Sequence, residues 1–196
     1  RMTRKFSVAF DYRCPFAYNA HAAIVAALRE GIEMDVTFTP FSLDQNHVEE
    51  GGADIWDRPA TERGTGTMAL LFGIAVRDNF PDQFLDFHLE AFAARHVHSL
   101  AIRDEAVMRN VCTLVGLDPE RVAEIALGDE TLATLKTEHT ALVSDYEVFG
   151  VPTFIANGAA TFIRFMDRGN VADLLKALDL LEWSNLNEFK RTKIDR

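Results

Sequence analysis

Phe6, Val8 and Phe10 alternate with smaller residues across KFSVAFD (5–11), and this period of two predicts a strand. The pattern then changes. Phe16, Ala20, Ile24, Ala27 and Leu28 recur at helical spacing and predict a buried helix face, with Arg29 and Glu30 pointing out. Cys14 falls at the N-cap of that helix and Pro15 at its first position, where the fixed φ is welcome and the missing N–H costs nothing; Gly31 offers a left-handed cap at the far end. In MDVTFTPF (34–41), Met34, Val36 and Phe38 alternate against Asp35, Thr37 and Thr39, and Pro40 places this strand at a sheet edge. Strand, helix and strand in so short a span make a parallel βαβ unit.

The middle of the chain reads differently. A polar, Gly-bearing connection runs from Phe41 to Pro59, and helical patterns follow over 61–77, 81–96, 103–115, 119–127 and 130–148. Phe84, Phe87, Leu89 and Phe92 form the apolar face of the second. Gly116, Asp118-Pro119 and Gly128 supply stop and start signals between the others. Strands return in TFIANGAATFIRF (153–165), where Asn157-Gly158 is a strong hairpin signal. A last helix over 170–182 buries Val171, Leu174, Leu175 and Leu178 before a polar tail, whose Lys190, Arg191 and Lys193 read as a solvated end. Removing the five middle helices leaves βαβ-ββα. The order therefore predicts an α/β protein of thioredoxin-like fold with an inserted all-helical domain. Residues 1–58 and 144–196 would form the discontinuous thioredoxin-like domain, and 59–143 the insertion.

Composition narrows the partners. The chain has 196 residues, 48% of them hydrophobic, enough for a sizeable core, and a net charge of −10. That sign argues against nucleic acid and anionic membrane surfaces. The start, RMTRKFSVAFDY, lacks the apolar run and cleavage site of a signal peptide, and Arg1 ahead of Met2 reads as an added residue. No continuous apolar run reaches the length of about 18 residues needed for a bilayer-spanning helix. Two cysteines do not make a disulfide framework, so a reducing, cytoplasmic setting is expected.

The chemistry concentrates in FDYRCPFAY (10–18). Cys14 at a helix N-terminus faces unpaired N–H groups and the positive end of the dipole, which favour a reactive thiolate; Arg13 beside it could add positive charge. The bland alternative is a small buried hydrophobe. Ala17 stands three residues on, where a resolving thiol would lie, so Cys14 cannot close a local disulfide. Cys112, on an apolar helical stripe with Val107, Met108, Val111 and Val115, reads as an inert core residue. Val151-Pro152 precedes the hairpin, where a cis-proline would leave the Val151 backbone free to pair with an extended substrate. His21 is about 10 Å along the helix from Cys14, too far for a base, and reads as a partly exposed position. His88, His96 and His98 lack the carboxylate or thiol pattern of a metal site, and none is expected. Residues 64–67, GTGT, lack the lysine of a phosphate loop and read as a flexible lead-in to a helix.

FDYRCPFAY, VFGVPTFI and FIRFMDRG, in this order around a helical insertion, resemble the DsbA-like branch of the thioredoxin superfamily. Within it they are most similar to the group of kappa-class glutathione transferases, 2-hydroxychromene-2-carboxylate isomerases and FrnE-like proteins. The resemblance implies that Cys14 takes the place of a serine that holds the glutathione thiolate in kappa-class relatives. It also implies that Asp167, in the Asp167-Arg168 pair, helps bind the cosubstrate. DsbA-type oxidases carry a second cysteine where this chain has Ala17, a departure that speaks against dithiol oxidase activity. The expectation is a cytoplasmic monothiol thiol-disulfide oxidoreductase. Cys14 would form a mixed disulfide, and Phe16, Val151, Pro152 and Asp167 would bind substrate. No tightly bound cofactor is expected. A low-molecular-weight thiol, mycothiol or glutathione, would be the cosubstrate, and the resemblance adds a homodimer. Two alternatives remain: a thiol-dependent transferase or isomerase, and a non-catalytic binding protein on the same scaffold.

Overall fold

A computed structural model describes residues 3–193; Arg1, Met2 and the last three residues of the polar tail lie outside the described residues. Strand β1 (Arg4–Phe10) runs into helix α1 (Pro15–Arg29), which returns through Gly31 to β2 (Met34–Pro40). Gly31 has a φ of 84°, the left-handed conformation expected of a helix stop. The two strands pair in parallel, with Phe6 opposite Val36 and Val8 opposite Phe38. Helices α2 (Leu43–Asn46), α3 (Thr67–Asn79), α4 (Pro81–His96), α5 (Glu105–Leu114), α6 (Pro119–Ala126) and α7 (Asp129–Tyr146) follow. The chain then enters β3 (Thr153–Ala156), β4 (Ala159–Phe162) and α8 (Val171–Leu181).

The sheet order is β2-β1-β3-β4. β3 lies antiparallel to β1, with Val8 opposite Phe154, and pairs antiparallel with β4 through a turn at Asn157 (φ 53°) and Gly158 (φ 76°). Two consecutive left-handed residues match the twist of a tight hairpin. β2, which ends in Pro40, is an edge strand as its alternation predicts. The architecture is the thioredoxin-like α/β fold, with helices filling the interval between β2 and β3.

Three boundaries differ from the sequence pattern. The polar connection contains α2, capped by the Ser42 side chain, which accepts from the Gln45 N–H. The helix expected over 61–77 is a 3-10 turn at Ala60–Glu62 followed by α3 from Thr67. Its first turn is lost because the Asp44 carboxylate captures the N–H groups of Thr65 and Gly66, at 3.1 and 2.7 Å, and folds them into a loop. The helix expected to reach 148 ends at Tyr146, where Glu147 takes a left-handed φ of 54°.

The core is continuous from the sheet into the helices. Phe6, Val8 and Phe10 from β1, Ala20 and Ile24 from α1, Leu70 and Phe72 from α3, and Phe87 and Phe92 from α4 share one buried cluster. α1 packs on α4 and α8. Gly73 of α3 makes room for this packing: a Cβ there would lie 2.6 Å from the Tyr12 hydroxyl. Among the described residues no helix is long and apolar enough to cross a membrane.

Candidate active site

The sulfur of Cys14 lies where β1 hands over to α1. Cys14 is the N-cap residue of α1, in extended conformation (φ −97°, ψ 119°), with Pro15 in the first turn. Its own N–H donates to the Asp11 carbonyl at 3.1 Å, and its carbonyl accepts from the Tyr18 N–H at 3.2 Å. Its thiol donates to the Val151 carbonyl oxygen at 3.4 Å. Val151 and Pro152 are buried, and the peptide bond between them is cis.

The thiol feels opposing fields. Burial raises its pKa above the ordinary value, and the negative Asp11 adds to that rise; the N–H groups of Ala17 and Phe16 and the positive Arg164 act against it without overcoming it. A helix N-terminus alone leads one to expect an acidic thiol, and here desolvation outweighs it. Arg13 does not assist, because its guanidinium is bound to Asp44 at 2.6 Å.

Asp11 organises the rim. It is fully buried, accepting from the Arg13 N–H at 3.1 Å and the Leu43 N–H at 2.8 Å. Burial pushes its carboxyl up to about 7, against the pull of those two N–H groups, with Asp44 raising it further and Arg13 lowering it. A Cβ at Gly66 would lie 2.7 Å from an Asp11 oxygen, so a glycine is required for that loop to approach. Asp11 and Asp44 together fasten the start of α2 and the loop ahead of α3 beside the Cys14 turn.

Below the site runs a buried polar chain. The Tyr12 hydroxyl is 2.8 Å from His88 Nδ1, His88 Nε2 is 2.8 Å from His21 Nδ1, and His21 Nε2 is 3.2 Å from the Ala9 carbonyl. The carbonyl can only accept, so His21 Nε2–H donates to it. His21 Nδ1 must then accept from His88 Nε2–H, and His88 Nδ1 from Tyr12. Every hydrogen bond is satisfied with both rings neutral. Burial accordingly holds His21 down to about 4 and His88 well below its ordinary value. The chain ties β1 and α1 to α4.

Of the residues expected to bind substrate, Val151 meets the Cys14 thiol through its carbonyl, Pro152 follows it across the cis bond, and half-buried Phe16 lies under the Arg164 guanidinium, whose carbon is 3.6 Å from the ring centroid. Asp167 is exposed and, among the described residues, makes no ion pair. His21 is fully buried, not partly exposed, because it faces α4 and pairs with His88. His96 donates to the Tyr12 carbonyl at 2.8 Å, while His98 is exposed. Cys112 is fully buried in α5, and burial pushes its thiol up to about 12. Sequence reasoning missed Asp11, Arg164 and the Tyr12–His88–His21 chain. A carboxylate and a phenol inside an otherwise apolar strand ending, FDY, were the available signal for two of them.

Known proteins share this fold. Over residues 7–179 the chain matches the DSBA-like thioredoxin domain. Its fold resembles the cytosolic disulfide reductase DsbM from Pseudomonas aeruginosa, solved with GSH: TM-score 0.63, 16% identity, covering 89% of this chain and 97% of that one. DsbA from the same organism gives a TM-score of 0.57 at 22% identity, over 92% of this chain and 83% of that one. A thioredoxin-like oxidoreductase from Silicibacter pomeroyi gives 0.61 at 16%, over 89% and 86%. At such identities the likeness is one of fold. No curated protein matches the chain. The family match runs from the middle of β1 to near the end of α8, across both parts of the sheet and the helices between them, and the chain belongs to the DSBA-like thioredoxin domain family.

Proposed function

We propose that this protein is a monothiol thiol-disulfide oxidoreductase of the cytoplasm. The observation that carries the reading is the placement of one thiol, Cys14, at the start of α1 and against the Val151 carbonyl, with Ala17 where a resolving cysteine would stand. In the reaction, the Cys14 thiolate attacks one sulfur of a substrate disulfide. A Cys14–S bond forms as the substrate S–S bond breaks, and the departing thiolate takes up a proton from water. A low-molecular-weight thiol, glutathione or mycothiol, then attacks the substrate sulfur of the mixed disulfide as its thiolate; a disulfide forms between those two sulfurs, the bond to Cys14 breaks, and Cys14 leaves as the thiolate. Phe16, Val151 and Pro152 bind the substrate around the sulfur, and Asp167 reaches its outer part. Cys112 takes no part, since it is sealed in the helical core.

The test is to incubate the protein with a disulfide and map the adduct by mass spectrometry, following turnover with a thiol reductant. A mixed disulfide at Cys14, with turnover abolished in Cys14→Ala, is expected. Undiminished turnover by Cys14→Ala would overturn the reading.

A second reading has one observation in its favour. A thiol with a raised pKa that already donates to a carbonyl is a stable neutral hydrogen-bond donor. In that role Cys14 would hold the thiolate of a bound cosubstrate for a transferase or isomerase reaction. Cys14→Ser would then retain much of the activity, whereas disulfide exchange would vanish.

A further inference from the structure

Two arginines lie over two aromatic rings of α1 beside the nucleophile. The Arg164 guanidinium carbon is 3.6 Å from the centroid of Phe16, and that of Arg168 is 4.0 Å from the centroid of Tyr18. Phe16 and Tyr18 follow Cys14 by two and four residues, so both cations flank the first turn of α1. The segment carrying them is fastened to the same helix. Asn19 donates to the Phe165 carbonyl at 2.8 Å, its backbone carbonyl accepts from the Gly169 N–H at 3.2 Å, and its side-chain oxygen accepts from Arg168 Nε at 3.4 Å.

Neither cation is neutralised. Among the described residues Arg164 and Arg168 make no ion pair, in a chain whose net charge is −10. Their fields reach inward: Arg164 acts on the Cys14 thiol, and Arg168 acts on His96. A guanidinium lying on an aromatic face keeps its charge, and its in-plane N–H groups remain available to a carboxylate at the ring edge.

We propose that Arg164 and Arg168 form an anion subsite that holds the carboxylates of a small thiol or its disulfide while Cys14 exchanges with the sulfur. The partner is therefore an amino-acid or peptide thiol with free carboxylates, of the glutathione type. A neutral, sugar-borne thiol of the mycothiol type is the weaker substrate. Carboxylates a few atoms from the sulfur would lie over the first turn of α1 when the sulfur meets Cys14. The inference rests on the exchange reading of Cys14, and its test separates the two.

The first measurement is the rate of mixed-disulfide formation at Cys14 with glutathione disulfide and with the neutral bis(2-hydroxyethyl) disulfide, read by intact mass. Wild type is compared with Arg164→Gln, Arg168→Gln and the double variant. Wild type should favour the anionic disulfide by about tenfold at low salt, the scale of two exposed ion pairs, and the preference should collapse in the double variant. The ratio of the two rates cancels any effect of Arg164 on the thiol itself. The second measurement is the calorimetric affinity of S-methylglutathione, which cannot exchange, against its diester. A loss of affinity on esterification, abolished in the double variant, supports the subsite even if neither disulfide labels Cys14; that outcome sinks the exchange reading alone. A preference for the anionic compounds that survives the double substitution, or no preference in wild type, overturns the subsite.

Discussion

The Cys14 thiol donates to the Val151 carbonyl at 3.4 Å, so the backbone group expected to meet a substrate already holds the Cys14 proton. On the proposed reading, a substrate strand entering beside Val151 would compete for that carbonyl, coupling its binding to release of the thiol.

The resting thiol is accordingly a weak acid. Alkylation of Cys14 should be slow at neutral pH and should titrate above 9.0, the direction set by its burial. Asp11→Asn removes a charge that raises the thiol pKa, so its profile should move to lower pH. Arg164→Gln removes a charge that lowers it, so its profile should move higher. Iodoacetamide rates against pH, with peptide mapping, would check all three. Cys112 stays silent because it is fully buried with its thiol pushed up to about 12. A wild-type midpoint well below 9.0 would contradict the balance of fields described above.

Ala17→Cys restores the missing thiol. Residues three apart in the first turn of a helix are neighbours, about 5–6 Å between Cβ atoms. A small tightening of the turn brings such a pair to the roughly 3.5–4.5 Å that a disulfide needs. Ala17 is fully buried, so the added sulfur replaces no solvated group. Titration of free thiols in the variant after mild oxidation should show an internal bond between Cys14 and the introduced thiol. Turnover should then lose its dependence on a small external thiol. Continued dependence, with the internal bond formed, would contradict the proposal that the missing second cysteine is what makes an external thiol necessary.

The sheet, its edge strand and the place of Cys14 at the start of α1 were legible because each depends on local signals. Alternation marks a strand, Pro40 marks an edge, and Cys14-Pro15 after an apolar run marks a strand-to-helix junction. The charge balance of the site was not legible, because it depends on distant pairings. Arg13 is neighbour to Cys14 in sequence yet spends its charge on Asp44. Arg164, far along the chain, is the cation that acts on the thiol. His21 was misread for the same reason: its helix position shows one face, and the buried partner, His88, comes from α4.

His88 is the middle of a fully buried chain, so removing it leaves two groups without partners. His88→Phe keeps a ring of similar size but orphans the Tyr12 hydroxyl and His21 Nδ1. Each buried, unsatisfied polar group costs about 1–3 kcal/mol, so a loss of about 2–6 kcal/mol in unfolding free energy is expected. Tyr12→Phe orphans only His88 Nδ1 and should cost less. The double variant Tyr12→Phe/His88→Phe should cost less than the sum of the two, because the second change removes an acceptor already orphaned by the first. Urea denaturation of the three variants measures this, and strict additivity would refute a continuous chain.

Buried titrating groups pull stability in opposite directions with pH. Burial holds His21 and His139 down to about 4, and His88 lower than its ordinary value. For a depressed histidine, the native state is favoured above the unfolded pKa near 6.5 and loses that advantage as pH falls through about 4. Each of His21 and His139 is worth about 3 kcal/mol over that window, at about 1.4 kcal/mol per pKa unit. Asp11 works the other way. Its carboxyl is raised to about 7, so the stability it confers is present below 3.8 and lost as pH rises through about 7. That loss is about 4 kcal/mol by the same conversion. Three histidines outweigh one carboxyl on the acid side, so stability should climb from about pH 4 to about pH 6.5 and then flatten or fall towards about pH 7. In Asp11→Asn the acid limb should steepen, because the opposing carboxyl is gone, and the fall near neutrality should disappear. Urea midpoints measured across this range decide it: a variant curve parallel to that of wild type would mean that Asp11 ionises in the fold as it does in the unfolded chain.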